Sequence, residues 1–202
     1  MNKSSAQVIS TVFNPVINSL ITFSLLASAD QHLNLASKFE FAGIADLFAS
    51  GLIILCLFIF IRLGLINSPD IPDRKQRSLP LIVAAIVLFT GFVALSFAHA
   101  PRLIQGLMLS YATETLIVAI ISYWWKISIH TASMACSLVA LTYRFGAIVF
   151  PFYLLLLLVG QARIVLKRHT IAQTIAGALL GIVLTVIQLL SFFPRLSYIL
   201  TN

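Results

Sequence analysis

Apolar residues dominate this 202-residue chain in successive long runs, separated by short polar stretches. None of the runs alternates apolar with polar in the way a half-buried strand does. Each is close to the roughly 17–25 residues that a helix needs to cross a hydrocarbon core. Backbone groups in lipid must bond within their own segment, so helices are the only reading of such runs. Seven candidate spans follow, at about 9–28, 44–64, 79–98, 103–125, 129–146, 148–166 and 171–193. The expected fold is an all-α, polytopic transmembrane helix bundle of six to seven spans, one integral membrane domain over residues 1–202. The first run also has features of a secretion signal: an early lysine and Ala27-Ser28-Ala29 before Asp30. Asn14, Pro15 and Asn18 interrupt that run, so an uncleaved first helix is expected.

Composition sharpens this picture. Hydrophobic residues make up 60% and charged residues 9%, against roughly 25% charged in a soluble domain. So little polar surface cannot cover a water-soluble globule. The net charge of +7 would suggest nucleic acid in a soluble protein. Here it fits loop cations that set orientation and a cationic pocket for an anionic headgroup, and no nucleic-acid partner is expected. Cys56 and Cys136 lie inside apolar runs and read as small buried hydrophobes rather than a disulfide.

Seven spans put alternate loops on opposite sides. One side then holds Lys3, Arg62, Arg74, Lys75, Arg77, Lys126, Arg163, Lys167 and Arg168; the other holds Lys38, Arg102, Arg144 and Arg195. The richer side is expected to be cytoplasmic. That side also carries His130 and His169, whereas His32 and His99 fall opposite. The most polar loop, 68–77, joins the two histidines on their side.

Two stretches there combine cations, histidine and neutral hydrogen-bonding groups. In Lys126-Ile127-Ser128-Ile129-His130, the lysine and histidine lie one turn apart if a helix has begun by Lys126. Ser128 either caps that helix or binds a phosphate oxygen. In Arg163-x5-His169-x3-Gln173, His169 and Gln173 are one turn apart. A plainer reading makes Thr170 to Gln173 a capping box and Arg163, Lys167 and Arg168 ordinary membrane anchors. Cations with two histidines are what phosphoryl transfer through a phosphohistidine requires.

These stretches resemble the second and third motifs of the type 2 phosphatidic acid phosphatases, the lipid phosphate phosphatases: P-S-G-H and S-R-x5-H-x3-D. Ser128 and His130 match the second, Arg163 and His169 the third. The small-residue stretch Ala176 to Gly181 is similar to the family's following helix, where small-xxx-small spacing permits close packing. Ile127, Ile129, Ala162 and Gln173 depart from the motifs. The first motif, K-x6-R-P, has only a partial echo in Arg77-Ser78-Leu79-Pro80. The resemblance implies a divergent phosphatase-like core over about 79–193. It implies a lipid phosphate or isoprenoid (di)phosphate substrate drawn from the membrane, with no metal or other cofactor. His169 would be the nucleophile, His130 the proton donor to the leaving oxygen, and Gln173 the group that orients His169. Lys126, Ser128, Arg163 and Arg77 would bind the phosphate. The alternative is a weakly active or inactive member that binds anionic lipid or a membrane partner.

Other polar positions carry less. Asp70-Ile71-Pro72-Asp73 could hold magnesium against a diphosphate, but its prolines suit a solvated turn. A prenyltransferase would need a second acidic motif, and a transporter more polar groups within the spans. Glu114 lies mid-span, where an ionisable group is costly; it would pair with another helix, for instance through Arg144, or shape a lipid-tail pocket. Tyr123, Trp124 and Trp125 form an interfacial aromatic belt.

Overall fold

A computed structural model describes residues 1–192, and every regular element among them is helical. In chain order these are α1 (Lys3–Val12), α2 (Pro15–Ala29), α3 (Leu35–Asp46), α4 (Leu52–Arg62), α5 (Ser78–Phe97), α6 (Arg102–Ile121), α7 (Ile129–Phe145), α8 (Tyr153–Val165) and α9 (Ile171–Phe192). Arg195 and the last residue of the seventh expected span lie outside the described residues.

Five helical segments are long and apolar enough to cross a membrane: Leu35–Arg62, Arg74–Phe97, Arg102–Ile121, Ile129–Val165 and Ile171–Phe192. A sixth results if α1 and α2, bent by 45°, are one span. The count is therefore five or six. Three local features account for the departures from seven even spans. Asn14 caps α2 through a bond from Ile17 N, and Pro15 occupies the first helical position, where its missing N–H does no harm. This breaks the run expected at 9–28 and lets α1 leave at an angle. The second span begins earlier than expected, at Leu35. Its polar first turns conceal the start, and a π-helical stretch, Leu47–Gly51, carries it on into α4.

The spans expected at 129–146 and 148–166 are joined without a break by a 3-10 stretch, Gly146–Phe152. The chain nevertheless doubles back there. Thr142 Oγ1 lies 3.2 Å from Tyr153 OH, and a Cβ on Gly160 would sit 3.7 Å from the Thr131 side chain. In a continuous helix residues 131 and 160 would be about 43 Å apart. The thirteen residues of α8 cover about 20 Å, short of a full crossing at roughly 30 Å.

Helix α7 is the axis of the bundle, packed by α2, α6, α8 and α9. Every residue from His130 to Leu138 is buried. Its small and hydroxyl side chains let neighbours approach and give them partners. Asn18 of α2 donates to Ser137 Oγ at 2.7 Å and to Ser133 O at 3.1 Å, and Tyr111 of α6 shares the Ser137 hydroxyl. Against α9 the approach is closer still. A Cβ at Gly177 or Gly181 would overlap the carbonyl oxygens of Ser128 and Ala132.

One expectation about buried charge changes. Arg144 donates to Ala29 O at the far end of α2 rather than to Glu114. Glu114 is fully buried and faces Cys136 across α6 and α7. Both cysteines are free.

Because backbone atoms cannot move aside cheaply, Gly177→Ala is expected to lower stability by about 1–3 kcal/mol. Gly43→Ala meets nothing within 4 Å and should be neutral or slightly stabilising, since alanine is the better helix former. Thermal unfolding of the two variants in detergent checks the contrast.

Candidate functional site

Three loops meet at one end of the bundle: the connection after α4, the α6–α7 connection and the α8–α9 connection. Arg74 Nη1 donates to Tyr123 O at 2.8 Å, Lys126 Nζ to Pro72 O at 2.9 Å and Arg77 Nη1 to Ile127 O at 3.1 Å. Ser128 N donates to Gln173 O at 3.2 Å. All the residues singled out for phosphate chemistry therefore lie on one face.

The Arg163-x5-His169 spacing has a backbone explanation. Helix α8 ends in a Schellman turn, with Lys167 N bonded to Ile164 O and Arg168 N to Arg163 O. Lys167 takes the left-handed conformation, φ +54°, that glycine usually fills. The reversal also brings His169 N to 3.3 Å from Arg163 O. Five intervening residues are what this turn needs to place the imidazole beside the arginine's own backbone.

His130 enters from the first turn of α7. Ser128 is its N-cap, accepting from Thr131 N at 3.5 Å, and is fully buried. It therefore serves as the cap, the first of its two expected roles. Because α7 begins at Ile129, Lys126 lies in the connection and not one helical turn below His130. Burial, then the neighbouring Arg77 guanidinium, lowers the Lys126 ammonium below its usual range.

Gln173 forms the capping box: its Oε1 accepts from Thr170 N at 3.0 Å, and its N–H donates to Thr170 Oγ1 at 3.3 Å. The Nδ1 atom of His169 has no partner, so Gln173 does not orient it. The expected orienting role is corrected on this ground.

Arg163 is 3% exposed. Its Nη1 donates to Ser10 Oγ at 2.7 Å and its Nη2 to Asp70 Oδ1 at 2.6 Å. Arg168 Nε lies 3.3 Å from Asp70 Oδ2. Asp70 is thus the carboxylate of this site rather than part of a free solvated turn. Asp73 caps the short helix Arg74–Gln76. The acidic character of 70–73 was visible in the sequence, but its partners were not. Ser10 carried no signal, being one serine in an apolar stretch.

Buried without a hydrogen-bond partner are Nδ1 of His130, Nδ1 of His169 and Nε of Arg163. An open groove of about 320 Å³ beside them is lined by Ile164, Lys167, Arg168, His169, Thr170 and Gln173. It reaches His169 but stops short of Arg163 and Lys126. No group of three His, Cys, Asp or Glu side chains suited to a metal ion occurs among the described residues.

Burial, then the charges of Arg163, Arg77 and Lys126, pushes the His169 imidazole down to about 3. It is neutral near pH 7, the form that can act as a nucleophile. The unfolded chain takes up this proton near pH 6.5. The folded state binds fewer protons below that value, so the histidine's contribution to stability is complete above about pH 6.5 and is lost as pH falls toward 3. Thermal melts between pH 7 and 4 should fall less steeply for His169→Gln than for the parent. Lys167→Gly, which relieves the left-handed strain, should raise stability by up to about 1 kcal/mol in the same measurement.

No family model, curated protein or solved structure matches this chain.

Proposed function

We propose that the chain is a membrane phosphatase that removes phosphate from a lipid phosphate or an isoprenoid (di)phosphate through a phosphohistidine. One observation carries this reading. Three buried nitrogens, from His130, His169 and Arg163, lack partners, and the His169 imidazole lies in the field of Arg77 and Lys126. Buried polar atoms without partners are rare and call for an explanation. An oxyanion seated among them would supply acceptors and balance the charge.

In this reading an imidazole nitrogen of His169 attacks phosphorus as the bond to the lipid oxygen breaks. His130 delivers a proton to that oxygen and later takes one from the water that cleaves the N–P bond. Arg163, Arg77 and Lys126 stabilise the charge spread over the equatorial oxygens. Ser128 has no part, because its hydroxyl caps α7. The resemblance to the type 2 phosphatidic acid phosphatases supports the roles of His169, His130 and Arg163, and not those it implied for Ser128 and Gln173. The same proposal takes α1–α2 as one leg, α7 as another and α8, too short to cross by itself, as a return leg extended by the 3-10 stretch Gly146–Phe152, making seven, with the site on the cytoplasmic side where the cations concentrate. The phosphate would then sit at headgroup depth while the apolar chain remains in the bilayer.

A second reading is binding of anionic lipid without turnover. It is favoured by Gln173, whose side-chain oxygen is engaged in the capping box and leaves the nucleophile without an orienting group.

Purified protein in detergent should release phosphate from at least one of phosphatidate, phosphatidylglycerol phosphate or a prenyl diphosphate. His169→Ala should reduce that release by roughly 10³-fold or more. Undiminished release from the variant would exclude His169 as nucleophile. Absence of release from every substrate, with retained binding to phosphatidate vesicles, would establish the second reading.

A further inference from the structure

We propose that residues 66–76 form an anion-displaced strap over this site, with Asp70 as an internal stand-in for the phosphate. The inference rests on the phosphate-seat reading above and adds a regulatory element to it.

The strap occupies two of the cations that a phosphate would need. Asp70 Oδ1 holds Arg163 Nη2 at 2.6 Å, and Pro72 O holds Lys126 Nζ at 2.9 Å. The other carboxylate oxygen lies against Arg168 Nε at 3.3 Å. A carboxylate bridging two guanidiniums is the arrangement a phosphate would itself adopt. The remaining donors of Arg163 show the same thing. Nη1 is committed to Ser10, and Nε is buried and unpaired. An anion using the forked edge of Arg163 needs Nε together with Nη2, and Asp70 occupies Nη2.

The strap is also built to move. Asp70 is the more exposed partner, 28% against 3% for Arg163, so the carboxylate can leave toward water while the guanidinium stays. The next residue, Ile71, has φ +39°. A β-branched side chain in the left-handed region is strained, and such residues persist only where surrounding contacts hold them. Here the holding contacts include the buried Ile71 side chain and its N–H bond to Ser68 O, together with the ion pair, the Lys126 bond and the Arg74 bond to Tyr123 O. No residue of 66–76 lines the groove beside His169.

The device follows from charge. With no phosphate bound, Arg163 would be a buried, uncompensated cation, which is strongly destabilising. Asp70 neutralises it. An entering phosphate takes over Arg163 and Lys126, and Asp70 withdraws with the half-buried Arg168 as its partner. Any anion therefore binds more weakly than the bare site would allow, by the fraction of time the strap is open.

Inorganic phosphate is the probe, with the full-length protein in detergent. Calorimetric titration should show Asp70→Asn binding phosphate about tenfold more tightly than the parent, as expected for a strap open roughly a tenth of the time. Hydrogen exchange of the parent alone gives a second measure that needs no variant: saturating phosphate should speed exchange across 66–76 several-fold. Equal or weaker phosphate binding by a folded Asp70→Asn, with binding still lost in Arg163→Ala, would overturn the strap and leave the phosphate seat standing. Slower or unchanged exchange across 66–76 in the phosphate-bound parent would do the same. No phosphate binding by the parent or by either variant would overturn both.

Discussion

The junction between the first turns of α7 and α9 sets the geometry of everything around it. A helix start leaves backbone N–H groups without partners, and in a membrane protein these must be met within the protein. Here two starts lie side by side, and the start of α7 donates to carbonyls in the first turn of α9. Ser128 N donates to Gln173 O, and Thr131 Oγ1 donates to Thr174 O at 2.9 Å. Gly177 and Gly181 remove the side chains that would hold the backbones apart. His130 follows Ser128 by two residues and His169 precedes α9 by two, so the junction fixes both imidazoles at one depth. The Schellman turn then ties Arg163 to His169 through the backbone. The groups are positioned by helix ends rather than by long flexible loops, the condition under which fixed charges act on a reacting group with little reorganisation.

That geometry concentrates positive charge in a poorly solvated place, and the opposing charge is meagre. Neutral carbonyls of Tyr123, Ile127 and Pro72 hold Arg74, Arg77 and Lys126. One carboxylate, Asp70, serves both Arg163 and Arg168. The position where the resembled motif has aspartate is Gln173, and it is occupied with helix capping. Negative charge is supplied to the arginines from a different loop and none reaches His169. The low proton affinity of that imidazole follows directly, since burial and cations both disfavour its charged form.

The broad architecture was legible because lipid imposes simple rules on sequence: long apolar runs, helices only, polar groups at the ends. The convergence of three loops was legible for the same reason, since counting crossings places 68–77, His130 and His169 together. Spacing alone did not separate chemistry from capping. Ser128 and Gln173 each fit a phosphate site and a helix start, and in both cases the local backbone requirement was the one met. Asp70 was visible as an acid but not as a partner, because an ion pair between residues 70 and 163 is a fact of packing and leaves no mark on local pattern. The bend at Asn14-Pro15 was written in the sequence as an interruption. Its consequence, a helix turned aside toward α8, was not.

That bend explains how an otherwise featureless N-terminal helix comes to serve the site. Asn18, with bonds to Ser133 and Ser137, fixes the register of α2 on α7. Had the helix run straight back from Asn18, the preceding residues would have followed the line of α2. The Asn14 cap and Pro15 redirect the chain by 45°, and α1 packs instead on α8, with Ile9 and Phe13 against the cluster around Val159. Ser10 then reaches Arg163 Nη1. This neutral partner satisfies one donor of the guanidinium without cancelling its charge, which leaves the arginine oriented and still cationic. The bent first leg is therefore what gives Arg163 a neutral partner beside Asp70.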